Sequence, residues 1–130
     1  MARKILIIED DVSTSQFLSY TMEHEGFQTL TAEDGLEGLG KARTENPDLV
    51  ILDVMLPGLD GFELCHRLRT YAPTANIPVL ILSAKAQDTD KAAGFKMGAN
   101  YYIVKPADPA QIVDAVKNML KEPSPKAGEK

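Results

Sequence analysis

The chain reads as an α/β protein: a single three-layer, doubly wound (βα)5 domain with a five-stranded parallel sheet of order 2-1-3-4-5. Three observations predict this. Five short apolar runs lie at residues 4–8, 27–30, 49–52, 78–82 and 101–104; counted from 5, 27, 49, 79 and 101, their spacings are 22, 22, 30 and 22. Four of the runs are continuous rather than alternating, the pattern of strands buried on both faces of a parallel sheet. Between the runs the apolar period changes to nearly four, so each strand is followed by an amphipathic helix. Right-handed crossovers between parallel strands then wind helices onto both faces, and the five-strand version of such a sheet commonly runs 2-1-3-4-5.

Composition supports one core. The 130 residues are 44% hydrophobic and 25% charged, which excludes a disordered chain and leaves room for a single domain. A net charge of −5, from 19 acids against 14 bases, argues against nucleic acid or an anionic membrane as the main partner. The single cysteine, Cys65, rules out an internal disulfide and agrees with a reducing, cytoplasmic compartment. No apolar run approaches the ~18 residues of a membrane span, and the first run is too short for a secretory leader.

Taken in order, the first strand ends in Glu9-Asp10-Asp11. The second run is interrupted by polar residues and suits a sheet edge. Asn46-Pro47 closes the second helix, because a residue preceding proline is pushed out of the helical region. The third strand ends at Asp53 and is followed by a Pro57-Gly58 turn; Asp60-Gly61 opens a helix with an apolar stripe of Leu64, Cys65, Leu68 and Ala72. The fourth strand ends in Ser83-Ala84. Residues 87–97 form the weakest helix, with Gly94 in its middle at ~1 kcal/mol against alanine. The fifth strand ends in Lys105-Pro106. The last helix is capped by Asp108, begins at Pro109 with Gln111 three residues after the cap, and carries Ile112, Ala115, Val116, Met119 and Leu120 on one face. The folded unit is expected over residues 1–121, with 122–130 a disordered tail or linker stub.

In the predicted strand order the chain reverses direction between the first and third strands, and ligands bind there, beyond the carboxyl ends of the strands. Acids, one hydroxyl and one ammonium converge on that crevice. Two carboxylates about 4 Å apart at an effective dielectric near 20 repel by ~4 kcal/mol, so a cation belongs among them unless some stay protonated. The nearby donors are all oxygen, which selects Mg2+, or Mn2+, over zinc. Glu9, Asp10, Asp53 and the backbone carbonyl of Met55 are the candidate ligands, although each acid could simply cap the helix after it. A carboxylate that attacks phosphorus needs such an ion, a cationic side chain and a hydroxyl donor around it. Asp53 is the candidate acceptor, with Lys105 and Ser83 beside it. Lys105-Pro106 also suggests a cis bond. His24, His66 and Cys65 are read as core or surface residues.

The runs Ile5-Leu6-Ile7-Ile8-Glu9-Asp10-Asp11, Leu52-Asp53-Val54-Met55-Leu56-Pro57-Gly58-Leu59-Asp60-Gly61, Leu82-Ser83-Ala84 and Gly98-Ala99-Asn100-Tyr101-Tyr102-Ile103-Val104-Lys105-Pro106 resemble the receiver domain of two-component response regulators over about residues 3–121. The resemblance implies a flavodoxin-like fold with Asp53 as phosphoacceptor. It implies Glu9 and Asp10 as the acidic metal pair and Met55 as a carbonyl ligand. Ser83, next to Ala84, stands at the switch hydroxyl, Tyr102 at the switch aromatic, and Lys105 at the phosphate-pairing lysine. The phosphoryl donor would be a sensor histidine kinase or a histidine phosphotransfer protein, and the fourth helix, fifth strand and fifth helix would form the surface that controls a partner or output domain. This is a signalling switch rather than a turnover enzyme, a monomer or weak dimer without direct nucleic acid contact. It is either a stand-alone receiver or part of a longer regulator.

Two departures stand out. Phe95-Lys96 and Asn100-Tyr101 occupy positions where acids would support a salt-bridged dimer, and Ala107 replaces a frequent aromatic. Competing readings fit less well. A Mg2+-dependent hydrolase with an aspartyl nucleophile would carry a second acid where Met55 stands. A flavin carrier would need a Ser/Thr/Gly-rich loop where this chain has acids. A degenerate receiver would lack part of the site.

Overall fold

The strands Lys4–Ile8 (β1), Gln28–Ala32 (β2), Leu49–Leu52 (β3), Val79–Ser83 (β4) and Tyr101–Val104 (β5) are β-branched or leucine-rich segments too short to be helices. In this computed structural model, which describes residues 2–121, all neighbouring strands pair in parallel and the order is β2-β1-β3-β4-β5. The expected tail, 122–130, lies outside the described residues. The helices are Val12–His24 (α1), Gly35–Glu45 (α2), Gly61–Arg69 (α3), Asp88–Lys96 (α4) and Pro109–Met119 (α5).

Period-two geometry divides β1 between two cores. Ile5 and Ile7 join Leu18 and Met22 of α1 and Ile112, Ala115 and Val116 of α5 on one face. Leu6 and Ile8 join Leu39 and Ala42 of α2 and Leu64, Cys65 and Leu68 of α3 on the other. The three layers are therefore α1/α5, sheet, and α2/α3/α4. The central strands β1, β3 and β4 are buried almost throughout, and each fully buried aliphatic side chain contributes about 1.5–3 kcal/mol.

Four helices open on an aspartate whose carboxylate accepts a backbone N–H: Asp11 from Thr14, Asp34 from Glu37, Asp60 from Glu63 and Asp108 from Ala110. At α4 a glutamine, Gln87, stands in the cap position, and Asp90 Oδ2 reaches back to accept from the Gln87 N–H at 3.2 Å. The α4 N-terminus is thus closed by a residue inside its first turn rather than by an aspartate at the cap. At the other end of α2, Asn46 takes the left-handed conformation at φ 52° just before Pro47.

Three expectations need correction. The β2 strand runs on to Ala32, because its pairing with β1 continues through Ile7 and Ile8. The α3 stripe stops at Leu68: Ala72 is exposed and begins a 3-10 turn, Ala72–Thr74, which fills out the longest spacing between strands. Finally, β5 is not buried on both faces. It is the second sheet edge, with Tyr101 exposed and only Ile103 fully inside. No helix among the described residues is long and apolar enough to cross a membrane.

Candidate functional site

Strand pairing places the site. The Glu9 N–H donates to Ala32 O, the Asp53 N–H to Ile8 O and the Lys105 N–H to Ser83 O, at 3.0, 3.2 and 2.8 Å. Each residue is thus held one step beyond its strand by the adjacent strand's last carbonyl, and the three side chains project from one rim at the topological switch point.

There Lys105 Nζ donates to Glu9 Oε1 at 2.7 Å and to Asp53 Oδ2 at 2.9 Å. Both carboxylates are buried, Glu9 4% and Asp53 8% exposed. Their other oxygens are engaged too, Glu9 Oε2 by the Asp11 N–H and Asp53 Oδ1 by the Met55 N–H, each at 3.0 Å. Burial pushes the Glu9 carboxyl above its ordinary value; the Lys105 hydrogen bond and charge pull it down without cancelling that push, and the Asp53 charge adds to it. Burial alone would lower the Lys105 ammonium, but its hydrogen bonds to Glu9 and Asp53 and their charges carry it above the ordinary lysine value. One cation between two buried anions is too little positive charge.

Asp10, next to Glu9 in the chain, is exposed, whereas Asp11 is the cap of α1. The helix-capping alternative therefore holds for one acid of the three. Among the described residues no three acidic, His or Cys side chains close on one point as a metal cage. Of the candidate donors, all hard oxygens, the structure brings the Glu9 and Asp53 carboxylates together through Lys105. That short set, with charge left over after Lys105, fits an ion such as Mg2+ that keeps several of its waters.

Ser83 is completely buried, and its Oγ accepts the Lys85 N–H at 3.2 Å; Ala84 follows it at the exposed start of the loop to α4. The Tyr102 hydroxyl donates to Lys85 O at 2.8 Å. Burial chiefly, then the Asp90 charge, pushes that phenol above its usual value, opposed by the Ser83 hydroxyl. The Lys105-Pro106 bond is cis. His24 and His66 are exposed and Cys65 is buried, all away from the rim.

Two features escaped the sequence reading. Lys85 links Ser83 to Tyr102 through backbone atoms alone, which no side-chain pattern reveals. Gly94 has a spatial reason: a Cβ there would lie 2.9 Å from Ile81 Cδ1 and 3.0 and 3.2 Å from the Tyr102 ring. The glycine lets α4 close on the aromatic.

A small doubly wound domain that gathers buried carboxylates and one lysine at its switch point defines a class of α/β protein with an oxygen-lined rim. Within that class the chain belongs to the response regulator receiver domain family, whose model matches residues 5–117. It is 44% identical over 121 residues to the Alkaline phosphatase synthesis transcriptional regulatory protein PhoP of Bacillus subtilis, covering 93% of this chain and 50% of that protein. It is 36% identical to the Phosphate regulon transcriptional regulatory protein PhoB of Escherichia coli, covering 99% of this chain and 56% of that protein. The chain thus spans about half the length of these relatives. Among solved structures, chemotaxis response regulator CheY4 of Vibrio cholerae superposes with a TM-score of 0.87 at 31% identity, covering 92% of this chain and all (100%) of that one. The strand order 2-1-3-4-5 is that of flavodoxin-like doubly wound domains in general.

Proposed function

We propose that this receiver domain accepts a phosphoryl group on Asp53 from a phosphohistidine of a sensor kinase or phosphotransfer protein, in a Mg2+-dependent reaction. The observation that carries the reading is Lys105 Nζ shared between Glu9 and Asp53 at 2.7 and 2.9 Å on the switch-point rim. The Asp53 carboxylate attacks phosphorus, an O–P bond forms, the P–N bond to the imidazole breaks, and its electron pair stays on the ring nitrogen. The Met55 N–H on Oδ1 fixes the carboxylate's orientation. Lys105, already at the acceptor, exchanges part of its contact with Asp53 for a phosphoryl oxygen. Glu9, Asp10, Asp53 and the Met55 carbonyl would hold Mg2+, which when bound neutralises charge on the acceptor and phosphoryl oxygens.

Ser83 uses its oxygen as an acceptor toward Lys85 N–H, so its own proton is available to a phosphoryl oxygen. Drawing Ser83 toward Asp53 pulls on the same Lys85 that anchors the Tyr102 hydroxyl, and so couples the acceptor to the surface of α4, β5 and α5. Inverting a 1:99 equilibrium takes ~5.5 kcal/mol, within reach of a few charge-assisted hydrogen bonds at about 1.5–3 kcal/mol each. The regulated partner is a downstream effector or an output domain, in keeping with relatives about twice this length; the domain itself makes no nucleic acid contact in this reading.

Incubation with acetyl phosphate and Mg2+ followed by intact-mass measurement tests the acceptor. Wild type gains one phosphoryl group and Asp53→Asn gains none. Equal gain in both removes Asp53 from the role, and no gain in either removes the reading altogether.

A further inference from the structure

We infer that Gly35, on the opposite side of the acceptor loop from the chemistry, is a positioning residue for that loop; the inference rests on the phosphoacceptor reading above. Residues 53–61 carry both the acceptor carboxylate and the Met55 amide that orients it. Val54 and Leu56 anchor this loop inward, at 3% and 8% exposure. The Leu56 and Gly61 N–H groups both donate to Val54 O, at 3.0 and 2.9 Å. The chain then turns at Pro57-Gly58, where Gly58 has φ 75°, and Leu59 brings the main chain against the first turn of α2. A Cβ at Gly35 would land on the Leu59 carbonyl oxygen and stand 2.8 and 2.9 Å from its Cβ and carbonyl carbon. These are atoms that no side-chain rotation can move aside. Gly35 is helical and has no positive φ, so space rather than backbone conformation demands the glycine. On the loop's other flank a Cβ at Gly61 would land on the Asp53 carbonyl oxygen and reach 2.6 Å from Val54 Cα. The loop is thereby clasped, backbone to backbone, between α2 and α3. Pushing Leu59 outward shifts Met55, four residues earlier, and with it the 3.0 Å bond to Asp53 Oδ1.

The test uses the 15N-labelled chain titrated with Mg2+ alone, read at the Met55 amide, with melting followed separately. In Gly35→Ala the half-saturating Mg2+ concentration rises about tenfold, the scale on which outer-shell partners tune metal affinity. Gly40→Ala, with nothing near its Cβ in the same helix, and Leu39→Ala, which lowers stability from the core side of α2, keep the wild-type value. A folded Gly35→Ala with wild-type half-saturation overturns the inference, as does an equal rise in Leu39→Ala. Should Gly35→Ala not fold, the wild-type titration decides: the Gly35 and Leu36 amides shift together with Met55 while Gly40 stays still, and a stationary Gly35 overturns the inference. A wild-type Met55 amide that ignores Mg2+, in a chain that also fails the acetyl phosphate assay, overturns the phosphoacceptor reading itself; a positive assay with an unmoved Gly35 overturns only the positioning role.

Discussion

Glu9 carries the electrostatic tension of the rim, since its raised pKa means that the folded protein holds a proton there more readily than the unfolded chain does. Between the ordinary glutamate value of 4.5 and the folded one, the native state therefore binds more protons, and stability falls as pH rises through that window. Lys105 acts in the same direction at the other extreme: its contribution is complete below 10.5 and is lost as pH climbs through the raised folded value. In urea titrations of the metal-free protein, Glu9→Gln should abolish the loss just above pH 4.5 and also shrink the alkaline loss, because Glu9 is the foremost partner that holds the Lys105 ammonium up. An unchanged profile in that variant would assign the acidic window to other carboxylates. Cys65 gives a second residue-level expectation. Burial pushes its thiol up to about 11, against a weak opposing pull from Arg69. At about pH 8 a disulfide reagent should label it only through global opening, at a rate that follows the unfolding equilibrium in low denaturant. Its stabilising share is full below about 9 and vanishes as pH passes 11. Immediate stoichiometric labelling of the native protein would contradict the burial.

Helix α4 shows how far an element can be understood from its composition. The sequence marks it as weak through Gly94 and its alanines, although Asp90 reaches back to close its N-terminus on Gln87. What composition hides is that Gly94 is occupied space, with Ile81 and the Tyr102 ring pressed against the backbone. The same holds for β5, whose apolar run looks like a central strand although it closes the sheet. Its exposure depends on there being no sixth strand among the described residues, and no local pattern states that. Strand ends and their chemistry were legible because acids, hydroxyl and lysine follow apolar runs in linear order. Close backbone approaches at Gly35, Gly61 and Gly94 were not legible, because they depend on partners 24, 8 and 8 residues away along the chain (Gly35 to Leu59, Gly61 to Asp53, Gly94 to Tyr102). The contrast is measurable. Gly40→Ala in α2 meets nothing within 4 Å and should raise stability by up to about 1 kcal/mol. Gly94→Ala, the same substitution in another helix, should lower it by about 1–3 kcal/mol through overpacking and should weaken the Tyr102 hydroxyl bond to Lys85. Equal gains in both would mean that the ring yields freely.

At the scale of the molecule, the rim joins strands that are far apart in sequence. Glu9 follows β1, Asp53 follows β3 and Lys105 follows β5, and the Lys105 ammonium ties the three strand ends together. The two cores on either face of the sheet share those same strands, so a change at the rim acts on the whole cooperative unit rather than on one loop. Metal binding should therefore appear as a shift of the single unfolding transition. A ligand that binds only the folded state stabilises it by about 2.7 kcal/mol at one hundred times its Kd, and for a domain of this length ~1 kcal/mol raises Tm by roughly 4 °C. Wild type in saturating Mg2+ should then melt about 10 °C higher than in its absence on the same reasoning. Sodium chloride at matched ionic strength only screens the exposed charges and should leave Tm nearly unchanged. Glu9→Gln and Asp53→Asn each remove one hard oxygen anion from the short donor set, so the Mg2+ shift should shrink in both, while the metal-free Asp53→Asn protein gains from having one fewer anion beside Glu9. Scanning calorimetry on the three proteins separates these effects. A Mg2+ shift of equal size in all three, or one reproduced by sodium chloride, would place the ion somewhere other than between these carboxylates.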